Sequence, residues 1–168
     1  MKIYIVGFMG SGKSTYGERL SKAMKHSFVD LDKLIEERVG KTIAEIFEQE
    51  GEEAFRKLET EALHSTAEMQ DTVISTGGGT ACFNDNMSWM NDNGVTVYLR
   101  LFESIIQKRL ERAVEERPLL AGMDDDERHT FIHETLTERS MHYSQAQWVI
   151  QPEQFGFKKL AEIFKAQA

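Results

Sequence analysis

Apolar and polar positions along this chain keep changing rhythm. Residues 3–6 form a short apolar run that stops at Gly7, and apolar residues then recur at helical spacing through Leu20 and Met24. A strand, a loop and a helix are expected in that order. A second short run, residues 27–31, ends among carboxylates and reads as strand two. Residues 34–69 are helical in spacing and heavily charged, broken near Gly40 and Gly51, with a capping box at Thr42-Ile43-Ala44-Glu45 that starts a new helix. Strands are predicted at 72–75, 95–99 and 147–150, helices at about 103–114 and 127–146, and a short amphipathic helix at 158–165. The polar stretch 115–126 between two of these helices holds Arg117-Pro118 and a run of acids, and is a candidate lid. Alternating strands and helices predict an α/β fold: a five-stranded parallel sheet with helices on both faces, binding its ligands beyond the carboxyl ends of the strands.

A length of 168 residues suits one core, so residues 1–168 are read as a single domain. Apolar residues at 40% and charged residues at 29% fit an ordered globular protein. The net charge of -8 argues against a nucleic-acid partner, so any anionic ligand must meet locally concentrated basic residues. Cys82 is the only cysteine, which excludes an intrachain disulfide and a thiolate zinc site and fits a reducing cytoplasm. The four-residue apolar run near the start is too short for a signal-peptide core. No stretch approaches the roughly 20 apolar residues of a membrane span. With no long apolar stripe left over, a monomer away from membranes is expected.

Gly7-Phe8-Met9-Gly10-Ser11-Gly12-Lys13-Ser14 matches G-x-x-x-x-G-K-[ST], follows a predicted strand and opens a predicted helix. Glycines let the backbone wrap phosphate oxygens, the helix N-terminus adds partial positive charge, Lys13 reaches the phosphates and Ser14 can ligate Mg²⁺. Such a loop needs an acid near the metal. Strand three ends in Ser75-Thr76-Gly77 and has none, whereas strand two ends in Asp30-Leu31-Asp32, whose alternation sends both carboxylates to one side if the strand persists. The plainer reading, a helix-capping or solvated acid, competes more strongly for Asp32 than for Asp30. Gly77-Gly78-Gly79 removes every side chain at the end of strand three and leaves backbone donors for a second small ligand, unless it is only a flexible turn. Taken alone, Arg56 is a surface residue paired with Glu52 and Glu59, and Arg139 is a solvated arginine four residues before a packed Tyr143. Arg117 is presented by a proline and two leucines. The five histidines read as surface residues and Cys82 as a small buried one.

Taken in order, these motifs resemble the shikimate kinase family along most of the chain. The resemblance implies a P-loop kinase with a helical substrate-binding segment at about 33–70 and a lid at about 115–126. It implies ATP and Mg²⁺ as partners and phosphorylation of the 3-hydroxyl of shikimate. Gly10, Ser11, Gly12, Lys13, Ser14 and Thr15 would bind the nucleotide, with Lys13 and Arg117 neutralising the transferred group. Ser14 and Asp30 would hold the metal, and Asp32 would contact the attacking hydroxyl. Arg56 and Arg139 would grip the carboxylate beside Gly77, Gly78 and Gly79. Pro152, with either Arg109 or Arg112, would flank adenine. The alternatives are a gluconate-like or nucleoside-monophosphate-like kinase of the same fold, or a nucleotide-dependent regulator that phosphorylates nothing.

Overall fold

The structure, a computed structural model, describes residues 1–113 and 119–167. Its elements are β1 (Lys2–Val6), α1 (Lys13–Met24), β2 (Ser27–Asp30), α2 (Leu31–Val39), α3 (Ile43–His64), β3 (Thr72–Ser75), α4 (Asn86–Asn93), β4 (Val95–Leu99), α5 (Glu103–Glu111), α6 (Asp125–Tyr143), β5 (Trp148–Ile150) and α7 (Phe157–Gln167), with a short 3-10 turn at Thr80–Cys82. The strand order is β2-β3-β1-β4-β5, and every neighbouring pair is parallel. All five carboxyl ends therefore open on one edge.

Alternation along β1 divides the core. Ile3 and Ile5 pack with Tyr16 and Leu20 of α1 and Leu160 and Phe164 of α7. Tyr4 and Val6 point to the opposite face, where Leu31, Ile35, Phe55 and Tyr143 from α2, α3 and α6 cover them. A period of two on the strands meets apolar stripes on helices from both sides, and each layer buries what the other leaves exposed.

Several boundaries differ from expectation. β2 stops at Asp30, whose side chain accepts hydrogen bonds from the backbone N–H groups of Asp32 and Lys33, so α2 begins at Leu31. An N-cap aspartate ends the extended run one residue early, before Leu31. The breaks near Gly40 and Gly51 are present: Gly40 ends α2 in a left-handed conformation, and Gly51 kinks α3 with φ 85°. The Thr42/Glu45 capping box also forms. α6 starts at Asp125 because Asp124 and Glu127 make a second capping box, so the acidic run read as part of a lid is a helix start. Helix α4 was not expected; its Asn- and Asp-rich sequence hides a two-residue apolar stripe, Met87 and Met90, both buried. Among the described residues no helix is long and apolar enough to cross a membrane.

Candidate active site

Gly10 and Gly12 take left-handed backbone angles, φ 76° and 84°, that only glycine adopts without strain. Gly12 caps α1 and no side-chain hydrogen bond caps the helix start, the kind of helix N-terminus that suits an anion. The Ser11 hydroxyl is buried with no hydrogen-bond partner among the described residues, which fits an acceptor arriving with a ligand. Lys13 is only 9% exposed, and its ammonium donates to the Phe8 carbonyl at 3.0 Å. The loop that cradles phosphate also buries the lysine stem.

The Ser14 hydroxyl donates to one Asp30 oxygen at 2.6 Å, while the other Asp30 oxygen caps α2. A hydroxyl and a carboxylate side by side are the hard oxygen donors that Mg²⁺ takes together with water and phosphate. Asp32 does not share a strand with Asp30 as alternation predicts, because it lies in the first turn of α2. It still faces the site. Burial, and next the nearby Glu59 and Asp30 carboxylates, push its carboxyl up to about 6 against the pull of Lys13.

Two cavities meet at Asp32. One, about 290 Å³, is lined by the P-loop with Lys13, Ser14, Thr15 and Asp30. The other, about 510 Å³, is lined by Arg56, Glu59, Arg139, Leu119 and the apolar residues Ile43, Phe47 and Phe55. Asp32, Met9, Gly77 and Gly78 border both. The arginines eighty-odd positions apart thus share one wall, although each alone looked like surface.

Arg56 is only 8% exposed and Glu59 1%. The guanidinium donates to Glu59 at 2.9 Å and more loosely to Glu52, so the partners expected on the helix are right and the surface setting is wrong. The other Glu59 oxygen accepts from the Thr80 hydroxyl at 2.7 Å. Triple glycine is neither a flexible turn nor, at these positions, a left-handed one. A Cβ at Gly77 would lie 3.0 Å from both Asp32 and Glu59, one at Gly78 3.1 Å from the Met9 backbone nitrogen, and one at Gly79 2.6 Å from the Arg56 guanidinium. Gly77 and Gly79 make room for the protein's own charged groups, and Gly78 for the P-loop backbone. Tyr143 donates to the Gly78 carbonyl, and burial pushes its phenol up, so it keeps its proton. Arg139 lies over the Phe8 ring at 5.9 Å.

Arg109 and Arg112 are both exposed, and Arg109 donates to the Gly10 carbonyl of the P-loop at 3.1 Å. Pro152 follows β5 on the same sheet edge. Arg117 lies outside the described residues; of the leucines after it, Leu120 is buried and Leu119 borders the larger cavity. Cys82 is partly buried against the core, and burial pushes its thiol up to about 11. His129 and His133 do have acids, Glu111 and Glu103 of α5, but these are separate surface pairs, and among the described residues no group of three suits a metal. Sequence reasoning gave Glu59, Thr80 and the Phe47 wall no part in the site. Glu59 alone had a signal, its spacing of three from Arg56.

The shikimate kinase family model matches residues 9–165. A shikimate kinase of Phocaeicola vulgatus is 44% identical over 158 residues, covering 94% of this chain and 90% of that protein. The crystal structure of shikimate kinase from Bacteroides thetaiotaomicron superposes with a TM-score of 0.87 at 40% identity, over 99% of this chain and 96% of that one. Shikimate kinase from Acinetobacter baumannii in complex with shikimate does so with a TM-score of 0.86 at 32% identity, over 99% and 91%.

Proposed function

The chain belongs to the shikimate kinase family, and from that premise we propose that it transfers the γ-phosphoryl group of ATP to the 3-hydroxyl of shikimate, giving shikimate 3-phosphate on the way to chorismate and the aromatic amino acids. The observation that carries this reading is the pair of cavities joined at Asp32: phosphate chemistry on one side, two arginines on the other. An acceptor with a carboxylate between Arg56 and Arg139 would present a hydroxyl to Asp32 and, through it, to the P-loop.

Each residue then has a task. Lys13 and the N–H groups at the start of α1 hold the phosphates, with Thr15 beside them. Ser14 and Asp30 would hold Mg²⁺, which when bound supplies charge neutralisation between the phosphates. Asp32 orients the hydroxyl and accepts its proton late, because phosphoryl transfer passes through a loose transition state in which placement and charge dominate. The backbone of Gly77, Gly78 and Gly79 borders the acceptor, and the Ile43, Phe47 and Phe55 wall shields it from water. Arg117 would meet the phosphates by the family motif. Arg109, already against the P-loop, is preferred over Arg112 to flank adenine with Pro152. Residues 1–168 act as one domain, working as a monomer.

A coupled assay with shikimate, gluconate, sugars and nucleoside monophosphates tests this, with turnover expected for shikimate alone. Arg56→Lys and Arg139→Lys keep charge but lose the fork. Each should raise the KM for shikimate tenfold to hundredfold, about 1.5–3 kcal/mol, while sparing the KM for ATP. A shikimate analogue without the carboxylate should erase the difference between wild type and variants. An equal loss with that analogue removes the arginines from carboxylate recognition.

A further inference from the structure

Arg56 borders a second cavity on its outer side, formed by residues 50–61 of α3 together with Phe83 and Asn84. On that side the Phe83 ring lies over the guanidinium, 4.0 Å from its central carbon to the ring centroid. This is much closer than the 5.2 Å to the neighbouring Phe55 ring. Phe83 belongs to neither apolar core cluster of the described residues, so its ring is not spent on the core.

The chain around it is held in place. Phe83 is extended, and Asn84 and Asp85 follow with φ 51° and 55°, two consecutive left-handed residues that are not glycine. Such a turn persists only where its surroundings hold it. They do so here: Asn84 and Asn86 both donate to the Thr60 hydroxyl of α3, at 3.1 and 3.2 Å, and Asn86 also donates to the Thr80 carbonyl at 3.0 Å. The segment that follows the triple glycine is thereby tied to the helix that carries Arg56.

We propose that Phe83 is a positioning residue for acceptor recognition: its ring face fixes the plane of the Arg56 guanidinium, and so the direction in which its fork meets the substrate carboxylate. In-plane contacts to Glu59 and Glu52 leave rotation about the long arginine stem to be resisted from above and below the plane. Phe83 supplies that resistance, and an aromatic face also attracts the cation where an aliphatic side chain of equal bulk does not. The inference rests on the reading of Arg56 as the partner of the shikimate carboxylate.

The test compares Phe83→Leu, which keeps bulk without a ring face, with Phe83→Trp, which keeps the face. Phe83→Leu is expected to raise the KM for shikimate by about three- to thirtyfold, with kcat and the KM for ATP within about twofold of wild type. Phe83→Trp should remain near wild type. Calorimetric titration of shikimate without nucleotide should show the same order. A leucine variant equal to wild type, or one whose KM for ATP rises as much as that for shikimate, overturns the proposal. A separate readout needs no substrate: labelling of Arg56 by phenylglyoxal, followed by peptide mass spectrometry, should be slow in wild type and Phe83→Trp and faster in Phe83→Leu. If the wild type does not bind shikimate, the functional reading fails alone, and the labelling still decides whether Phe83 holds Arg56; equal labelling in all three chains overturns it.

Discussion

Replacing Asp32 by Asn should have opposite effects on stability and on catalysis. Burial pushes the Asp32 carboxyl up to about 6 in the folded chain, against 3.8 for a free, solvent-exposed side chain as in the unfolded chain, so the folded protein binds this proton more tightly. Its ionised form therefore costs stability above about pH 6, and that cost fades as pH falls through 6 toward 3.8. Asp32→Asn should raise unfolding stability at pH 7.5 by on the order of 1–3 kcal/mol, with the gain narrowing toward pH 4 in urea titrations at the two pH values. Turnover should fall by roughly a hundredfold or more, as expected when a proton acceptor is removed. In the wild type, kcat/KM for shikimate should decline below about pH 6, where the acceptor is protonated. Asp30→Asn is a different experiment. Asn caps a helix about as well as Asp, so α2 should survive, and the change should appear as a higher Mg²⁺ requirement in metal titrations of turnover. Identical responses of the two variants would erase the division of labour. Asp30 is legible in the sequence as an acid at a strand end. That it doubles as the α2 cap, and so turns Asp32 off the strand, depends on backbone angles that alternation alone does not set.

At the scale of elements, strand ends and helix starts carry the site. Gly79→Ala puts a methyl carbon 2.6 Å from the Arg56 guanidinium, which Glu59 and Phe83 hold from moving away. Gly79 is not left-handed, so the strain falls on the arginine more than on the backbone. The KM for shikimate should rise about tenfold, in line with loss of a charge-assisted contact, with the KM for ATP little changed. Steady-state kinetics with each substrate varied in turn measure this. Asp124→Ala removes the α6 capping box. It should cost about 0.5–2 kcal/mol of stability in denaturant titrations, while Asp125→Ala, outside the box, costs less. The Thr42 box was readable because Thr and Glu stood three apart before an apolar run. The Asp124 box was hidden by its neighbours: three consecutive acids look like a solvated loop until one of them is seen to accept from Glu127.

For the whole molecule, the two cavities predict separable ligand responses. Shikimate at about a hundred times its Kd should stabilise the fold by about 2.7 kcal/mol, a rise in Tm of several degrees for a chain of this size. Gluconate should give none, and at the same shikimate concentration Arg56→Lys should cut the shikimate response to about 0.4–1.4 kcal/mol while keeping that to Mg-ATP in thermal unfolding. The amino-acid sequence by itself determined the alternating elements, the parallel α/β architecture and the P-loop, because each rests on local periodicity or on a motif whose residues touch the same ligand as neighbours. Residue by residue it marked Arg56, Gly79 and Arg139 as separate positions, and only the family resemblance set them around one carboxylate. Tertiary structure alone decided that Arg56 is buried, that Arg139 lines the same cavity, that Asp32 joins that cavity to the phosphate loop, and that the triple glycine leaves room for neighbouring parts of the protein itself. The physical reason is that burial and the field at a charged group are set by every element packed around it. In a parallel sheet those elements come from α2, α3, β3 and α6, far apart along the chain and adjacent only once the strands have paired.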